Sequence, residues 1–296
     1  MDRSWLTLAP RVWHGALDVL FPPRPLCPGC QRPNRQGRGL CPGCLSRIPR
    51  VAPPFCVRCG RPLRGGDELG GGNELGGGNG LEDRVDQCRA CRQRPYLFSV
   101  ARAPGVYDGA LRDYIHRVKF GADRALGEAL GQLLADYAVR TRELWPVDAV
   151  VPVPLHPARL EERGFNQAEV LARTVANRVS RPLWLHVLER TRPTTAQARL
   201  PMESRRSNVR GAFRVREAES LAGKRILLID DVLTSGATAG EAARVLLRAG
   251  ATDVKVLCLA VGAHEAEWLW RQRQGGRKKD PGVSWIHNGR VDVFST

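Results

Sequence analysis

Residues 226–242 read ILLIDDVLTSGATAGEA, and this stretch decides the fold of the chain around it. The apolar run predicts a buried strand over residues 225–229, which delivers the adjacent carboxylates Asp230 and Asp231 to its carboxyl end. A turn of hydroxyl-bearing and small residues follows and opens a helix. The turn consists of Thr234, Ser235, Gly236, Ala237 and Thr238. Strand, polar turn and helix in this order are typical of an α/β domain.

The same turn predicts a site for a phosphate and a sugar. Its backbone N–H groups and the positive end of the following helix attract phosphate, and Gly236 permits close backbone approach. Asp230 and Asp231 can accept hydrogen bonds from a ribose diol, and their mutual repulsion suggests Mg²⁺ nearby. The alternative is an ordinary connection between a strand and a helix through a polar turn.

Strand and helix patterns alternate on both sides of this stretch, from residue 98 onward. Strands are predicted over residues 100–106, 149–153, 183–188, 225–229 and 254–260. Helices are predicted over residues 108–118, 124–140, 166–179 and 238–249, with Gly250 closing the last one. The alternation predicts an α/β fold, a mostly parallel sheet with helices on both faces.

A second strand end faces the same edge of the predicted sheet. Ligands of open α/β sheets bind outside the carboxyl ends of the strands, so Val153, Pro154 and residues 163–167 should line one crevice with Asp230. Arg163 could clamp a phosphate with two hydrogen bonds. An exposed arginine at the start of a helix is the alternative for this position.

Residues 190–216 form a basic segment with eight arginines and one glutamate. One interpretation is a lid that closes over a leaving pyrophosphate and excludes water. The others are a track for a nucleic-acid backbone and a solvated run of charge. The candidate contacts are Arg205, Arg206 and Arg210.

Eight of the nine cysteines fall into four C-x-x-C pairs within residues 27–95, a Gly- and Pro-rich stretch with too few apolar residues to fold without a staple. The pairs are Cys27 with Cys30, Cys41 with Cys44, Cys56 with Cys59, and Cys88 with Cys91. Two pairs complete a tetrahedral structural zinc site. The simplest arrangement is two consecutive zinc ribbons, and a crossed arrangement of alternate pairs is the other possibility. Cys258 lies in an apolar strand and should pack in the core.

Charge and hydropathy set further limits on the function. A net charge of +16 allows nucleic acid, phosphorylated metabolites and anionic lipid as partners. No apolar stretch reaches the roughly 18 to 20 residues of a membrane span, and without a signal sequence the chain is predicted to be cytoplasmic.

The composition divides the chain into four regions. They are a helix with a Pro-rich lead (1–26), a zinc-ribbon module (27–95) with a Gly-rich insertion (65–80), an α/β domain (96–262) and a basic tail (263–296).

The order of motifs resembles the ComF competence family, also called the GntX type. Besides the paired cysteines, the resemblance is carried by Val118-Lys119-Phe120, ERGFNQA at residues 162–168 and the T-x-Q-x-x-L motif at residues 195–200. Residues 226–242 resemble the signature by which type I phosphoribosyltransferases bind 5-phosphoribosyl 1-pyrophosphate (PRPP). The Gly-rich insertion and the basic tail depart from the family pattern.

This resemblance implies a zinc ribbon joined to a phosphoribosyltransferase fold, which helps draw incoming single-stranded DNA into the cell alongside other DNA-uptake proteins. It implies that Asp230 and Asp231 bind the ribose of Mg²⁺-PRPP, the turn at residues 234–238 binds its 5-phosphate, and the Val153–Pro154 side meets pyrophosphate. Three functions stay open at this point: transfer to an unidentified acceptor, a pocket that only binds or senses its ligand, and a metabolic phosphoribosyltransferase with no DNA role.

Overall fold

The computed structural model describes residues 25–37, 39–63, 87–93, 95–193, 204–216 and 218–262. The predicted lead helix, the Gly-rich insertion, the motif at residues 195–200 and the basic tail lie outside these ranges. Within them, no helix combines the length and the apolar content needed to cross a membrane.

Within the described ranges, five strands form one parallel sheet, which confirms the predicted fold class. In chain order the strands are β1 (Ala101–Arg102), β2 (Gly105–Val106), β3 (Ala149–Pro152), β6 (Arg225–Leu233) and β7 (Asp253–Val261). The sheet order is β1-β7-β6-β3, and β2 also pairs with β7. Every pairing in this sheet is parallel. A separate antiparallel pair consists of β4 (Leu188–Arg190) and β5 (Phe213–Val215).

The helices of the described ranges lie between these strands and in the Cys-rich region. They are α1 (Pro42–Ser46), α2 (Arg89–Gln93), α3 (Gly109–Phe120), α4 (Arg124–Arg140), α5 (Pro157–Arg163), α6 (Gln167–Val179), α7 (Ser204–Val209) and α8 (Ala237–Arg248). Two 3-10 turns span Arg142–Leu144 and Ala218–Leu221.

Local sequence explains the helix ends. The Asp123 carboxylate accepts the Leu126 N–H at 3.0 Å and so caps α4. The Asn166 side chain accepts the Ala168 N–H at 3.1 Å and caps α6. After α8, Gly250 has a φ of +105°, and its N–H reaches the Leu247 carbonyl at 3.1 Å. The predicted glycine cap is therefore present, in the left-handed conformation that favours glycine.

The sheet separates two apolar clusters, and alternate residues of β6 contribute to each of them. Ile226 and Leu228 belong to the cluster on the α8 side, together with Leu246. Leu227 and Ile229 belong to the cluster on the side of α4 and α6. All four β6 side chains are fully buried, and burial stabilises the fold by about 1.5 to 3 kcal/mol for each.

Two of the predicted strands do not form as single continuous strands of the sheet. The strand over residues 100–106 is interrupted because Pro104 has no N–H for the ladder, which leaves β1 and β2 as separate two-residue strands. The strand over residues 183–188 is wrong: only Leu183 bridges to Val150 of β3. The chain then leaves the sheet, and Leu188 begins β4 instead, paired with β5.

Candidate functional site

At the carboxyl edge of the sheet, Asp230 and Asp231 of β6 have no pairing partner in β3. The reason is that β3 ends opposite Ile229, one residue before Asp230. Pro152 pairs with Ile229 as the last step of that ladder, and the Val153 N–H donates to the Ile229 carbonyl at 2.9 Å. On its other side β6 continues beside β7 as far as Leu233, four residues beyond the predicted end. The aspartates therefore lie within β6, at the crevice where one neighbouring strand has stopped.

Lys119, the penultimate residue of α3, pairs with one of the two aspartates. Its Nζ lies 2.8 Å from Asp231 Oδ1, and the two side chains are 20% and 18% exposed. Burial would lower the pKa of Lys119, but the charge and hydrogen bond of Asp231 raise it above its ordinary value. In the sequence, Lys119 stands out only as part of the family motif Val118-Lys119-Phe120, with no predicted site. The sequence feature that could have marked Lys119 as a site residue is its position at the end of an amphipathic helix, next to Phe120.

The neighbouring carboxyl titrates near neutral pH. Burial, and after it the charge of the adjacent Asp231, raises the pKa of Asp230 to about 7. A hydrogen bond from the Asp231 N–H to Asp230 Oδ1, 2.9 Å long, opposes this rise, as do the charges of Lys119 and Arg190. Such a carboxyl can exchange a proton for a cation or a hydroxyl donor at physiological pH.

Arginines from two further elements interact electrostatically with the aspartates. Arg163, the last residue of α5, donates to Gln167 Oε1 at 3.0 Å and lies 5.4 Å from the Phe120 ring centroid. Burial lowers the pKa of Arg163, and the Asp231 charge counteracts that effect.

Arg190, the last residue of β4, interacts electrostatically with Asp230. Burial lowers its pKa, the Asp230 charge raises it, and the charges of Arg159, Arg163 and Arg192 lower it. Its guanidinium lies 5.5 Å from the Phe213 ring centroid. Arg190 was not among the predicted site residues, because the sequence of the basic segment does not indicate which of its arginines a strand holds in place. The grouping concentrates positive charge where a polyanion would relieve the repulsion.

The predicted phosphate turn lies directly after β6. Gly236 has a φ of +69°, and α8 begins at Ala237, one residue before the predicted start. The Ala237 N–H donates to the Ser235 hydroxyl at 3.4 Å. On the side of the turn that faces the Cys-rich region, the Tyr96 hydroxyl donates to the Ser235 carbonyl and Arg61 donates to the Thr234 carbonyl, each at 2.6 Å. Neither Tyr96 nor Arg61 was among the predicted site residues.

The Val153–Pro154 turn offers no backbone donor to an anion. The Val153 N–H is already bonded to Ile229, and the Val153 carbonyl accepts the Asn166 side-chain amide at 3.1 Å. Pro154 has no N–H. Of the residues predicted for the pyrophosphate side, Arg163 is therefore the one whose side chain can donate to a ligand.

The thiols assemble into two groups of four, in consecutive order along the chain. Within each group the Sγ atoms all lie within 4.8 Å of one another. The first group is Cys27, Cys30, Cys41 and Cys44, and the second is Cys56, Cys59, Cys88 and Cys91. The crossed arrangement is thereby excluded. Four clustered thiolates without other ligands fit a closed tetrahedral zinc site, so structural zinc is the metal that these residues indicate.

Backbone groups favour thiolates in the first group. The Cys41 N–H donates to Cys27 Sγ at 3.2 Å. Burial would raise the pKa of Cys27, but this and other backbone hydrogen bonds lower it to about 6. Cys258 lies apart from both groups, fully buried in β7, which is where the sequence analysis expected it.

The three candidate arginines of the basic segment differ in their exposure to solvent. Arg205 is only 2% exposed, so it presents no surface to a nucleic-acid backbone, and that candidate role is corrected. Arg210 is exposed, and the side chain of Arg206 lies outside the described part. The ends of the segment are held in place, since Arg192 donates to the Asn208 and Arg210 carbonyls at 2.9 and 2.7 Å.

Comparison with known proteins matches both halves of the chain. Residues 16–92 match the double zinc ribbon domain family, and residues 160–281 match the phosphoribosyl transferase domain family. DNA utilization protein YhgH of Escherichia coli K12 is 32% identical over 244 residues, which are 79% of this chain and 96% of that protein. Competence protein F of Haemophilus influenzae is 29% identical over 227 residues, 75% of this chain and 90% of that protein. Glutamine PRPP amidotransferase from B. subtilis is 24% identical, with a TM-score of 0.32, over 45% of this chain and 26% of that chain.

Proposed function

The chain belongs to the ComF family of competence protein F and the YhgH DNA utilization proteins, and from this membership we propose that it binds PRPP and handles incoming single-stranded DNA in the cytoplasm, together with other DNA-uptake proteins. The names of the relatives support a role with DNA, and the phosphoribosyl transferase match supports the ligand. We further propose that residues 27–95 and 96–262 are its two domains, flanked by residues 1–26 and 263–296.

One observation carries the proposal for the ligand: the two carboxylates that precede the phosphate turn in β6 interact with three cations from three other elements. The carboxylates are Asp230 and Asp231, and the cations Lys119, Arg163 and Arg190 act on them. PRPP carries a hydroxyl-rich sugar between a monophosphate and a diphosphate, so it needs acceptors flanked by anion sites on both sides.

In this proposal the ribose hydroxyls donate to Asp230 and Asp231, and the turn at residues 234–238 binds the 5-phosphate. Arg163 and Arg190 bind the diphosphate, since the aspartate charges act on both guanidinium groups and no Val153 or Pro154 amide is available. The arrangement holds the leaving pyrophosphate on the arginine side of the sugar.

The residues of the site also fit Mg²⁺, the ion that the proposal pairs with PRPP. Carboxylate oxygens are the ligands that Mg²⁺ prefers, and Lys119 is bonded to only one of the Asp231 oxygens. Asp230 would hold the ion through the carboxylate whose proton is lost near pH 7. When bound, the ion would neutralise charge on the diphosphate.

These residues would promote the reaction by stabilising developing charge more than by transferring a proton. Positive charge grows on the sugar and negative charge on the diphosphate as their bond breaks, and in the proposed binding mode the aspartates stabilise the first charge and the arginines the second. Transfer to an acceptor and ligand binding without transfer both agree with this arrangement, and a metabolic transferase without a DNA role is the remaining alternative.

Release of pyrophosphate tests these functions in one experiment. The zinc-loaded chain is incubated with PRPP and Mg²⁺, with and without single-stranded DNA, beside an Arg190→Ala variant and an Arg140→Ala control on the exposed end of α4. The proposal predicts PRPP binding that Arg190→Ala weakens at least tenfold, and binding of DNA by the same preparation. PRPP turnover without any affinity for DNA would establish the metabolic alternative. No PRPP binding by the wild-type chain would refute the proposed ligand.

A further inference from the structure

We propose that the two zinc ribbons each position a different half of the ligand site, the second through Tyr96 and Arg61 and the first through Arg117. The second ribbon is the one around Cys56, Cys59, Cys88 and Cys91, and the first is the one around Cys27, Cys30, Cys41 and Cys44. The inference rests on the proposed function in that it takes the site to bind PRPP. The contacts that support the inference are observed without any ligand.

The second ribbon, together with Tyr96 directly after it in the chain, holds the phosphate turn by two carbonyl oxygens. Tyr96 donates to Ser235 and Arg61 donates to Thr234, each at 2.6 Å, and both donors are buried. Arg58, between two of the zinc-binding thiols in sequence, donates to the Tyr96 carbonyl at 2.5 Å. The Tyr96 ring also stacks on Phe98 with centroids 4.7 Å apart, which fixes its direction.

These bonds orient the amides of the turn. In a trans peptide unit the C=O and the N–H point to opposite sides. Because the carbonyls of Thr234 and Ser235 point to the ribbon, the N–H groups of Ser235 and Gly236 point away from it, as a phosphate cradle requires. The fit leaves no room for a side chain, since a Cβ on Gly236 would lie 2.6 Å from Tyr96 Cε1.

The first ribbon holds the other half of the site through α3. Arg117 donates to the Gly29 carbonyl at 2.8 Å and to the Pro28 carbonyl at 2.7 Å, both within the Cys27–Cys30 turn. It also pairs with Asp123 at 2.6 Å. Two residues later in the same helix, Lys119 reaches Asp231, so a shift of α3 would move the cation away from the carboxylate.

The two connections lie on opposite faces of the sheet. All four thiols of the second ribbon share the apolar cluster of α8. Cys27 and Cys44 of the first ribbon share the cluster of α3 and α4. Loss of one ribbon should therefore loosen one half of the site and spare the other.

Tyr96→Phe tests the second connection, because it deletes only the hydroxyl and keeps the ring against Gly236. Tyr137→Phe, on α4, is the matched control. We expect Tyr96→Phe to retain both zinc ions, to speed amide hydrogen exchange in the turn at residues 234–238, and to weaken ribose 5-phosphate binding about fivefold, the equivalent of one hydrogen bond of about 1 kcal/mol. Pyrophosphate binding should stay unchanged, which a general loss of structure would not allow.

The first connection is tested with Arg117→Met, and the zinc dependence with Cys88→Ser and Cys30→Ser, each assayed for zinc content and exchange. Arg117→Met and Cys30→Ser should speed exchange in α3 and spare the turn, whereas Cys88→Ser should do the reverse. Uniform acceleration by every variant, or a turn unaffected by Tyr96→Phe, would overturn the inference. If the wild-type chain binds no PRPP, the proposed function fails, but the exchange pattern still decides the question of the ribbons.

Discussion

Lys119 Nζ lies 2.8 Å from Asp231 Oδ1 and so ties the end of α3 to the carboxyl end of β6. Both side chains are about four-fifths buried, so neither charge is well hydrated without the other. Removing one member of a buried pair costs more than the pair itself contributes, because the remaining charge stays desolvated.

We expect Lys119→Met to lower the free energy of unfolding by about 1 to 3 kcal/mol, measured by urea denaturation. Asp231→Asn in the Lys119→Met background should recover part of that loss, because the unpaired carboxylate is then gone. Lys224→Met, at an exposed position, is the control. A loss in Lys119→Met no larger than in the control would mean that the pair contributes nothing.

The raised pKa of Asp230 predicts a dependence of stability on pH. The folded chain holds this proton up to about pH 7, whereas the unfolded chain loses it near the ordinary value of 3.8. Ionisation therefore destabilises the fold increasingly as the pH rises from about 4 to 7, and the loss is complete above 7. Asp230→Asn should stabilise the chain more at pH 8 than at pH 5, by roughly 2 to 3 kcal/mol, since one pKa unit corresponds to about 1.4 kcal/mol. An equal effect at both pH values would show that the carboxyl has an ordinary pKa.

The same titration predicts that ligand binding strengthens with pH. Ribose hydroxyls donate to an ionised carboxylate more strongly than to a protonated one. The affinity of the wild-type chain for PRPP should rise between pH 5.5 and 7.5 and then level off, measured by calorimetry in the presence of Mg²⁺. Asp230→Asn should bind weakly without this rise. A wild-type affinity that falls over the same range would argue against Asp230 as the acceptor.

Metal analysis of protein purified without chelator should find about two Zn²⁺ per chain. Because the thiols belong to the same apolar clusters as the sheet, a chelator should lower the melting temperature of the α/β domain along with that of the ribbons. Cys258→Ser should keep both ions. Protein free of zinc, or a melting temperature that chelators leave unchanged, would contradict the assignment.

Substitution of the exposed Arg210 should change the salt dependence of DNA binding, whereas substitution of the buried Arg205 should not. Each phosphate contact contributes about 0.7 to the slope of log affinity against log salt for single strands. Arg210→Ala should lower that slope by about 0.7, measured by fluorescence anisotropy with a labelled oligonucleotide, whereas Arg205→Ala should lower stability and leave the slope unchanged.

Arg140→Ala is the control for the same titration. If Arg210→Ala weakens PRPP binding and spares the salt slope, the segment is a lid over the diphosphate. If neither property changes, it is a solvated run of charge.

Elements governed by local chemistry were predictable from the sequence. The helix over residues 124–140 has the predicted bounds, because Asp123 caps an amphipathic run. The adjacent aspartates and the paired cysteines were predictable as site residues because residues of the same chemical type lie close together in the sequence.

Partners that are distant in the sequence escaped prediction. Lys119 and Asp231 are 112 residues apart, and Tyr96 and Ser235 are 139 residues apart, so only the folded chain brings each pair together. The apolar run at residues 183–188 failed as a strand for a related reason, since alternation indicates a strand but does not determine its partner.

Calorimetric titration of PRPP into the Asp230→Asn, Asp231→Asn double variant tests the central claim most directly. Asp136→Asn, an exposed carboxylate on α4 that pairs with Arg178, is the matched control. We expect the wild-type chain and the control to bind one PRPP per chain, and the double variant to keep its two zinc ions but to bind PRPP at least tenfold more weakly. Wild-type affinity in the double variant would contradict the account, because the ligand would then bind elsewhere.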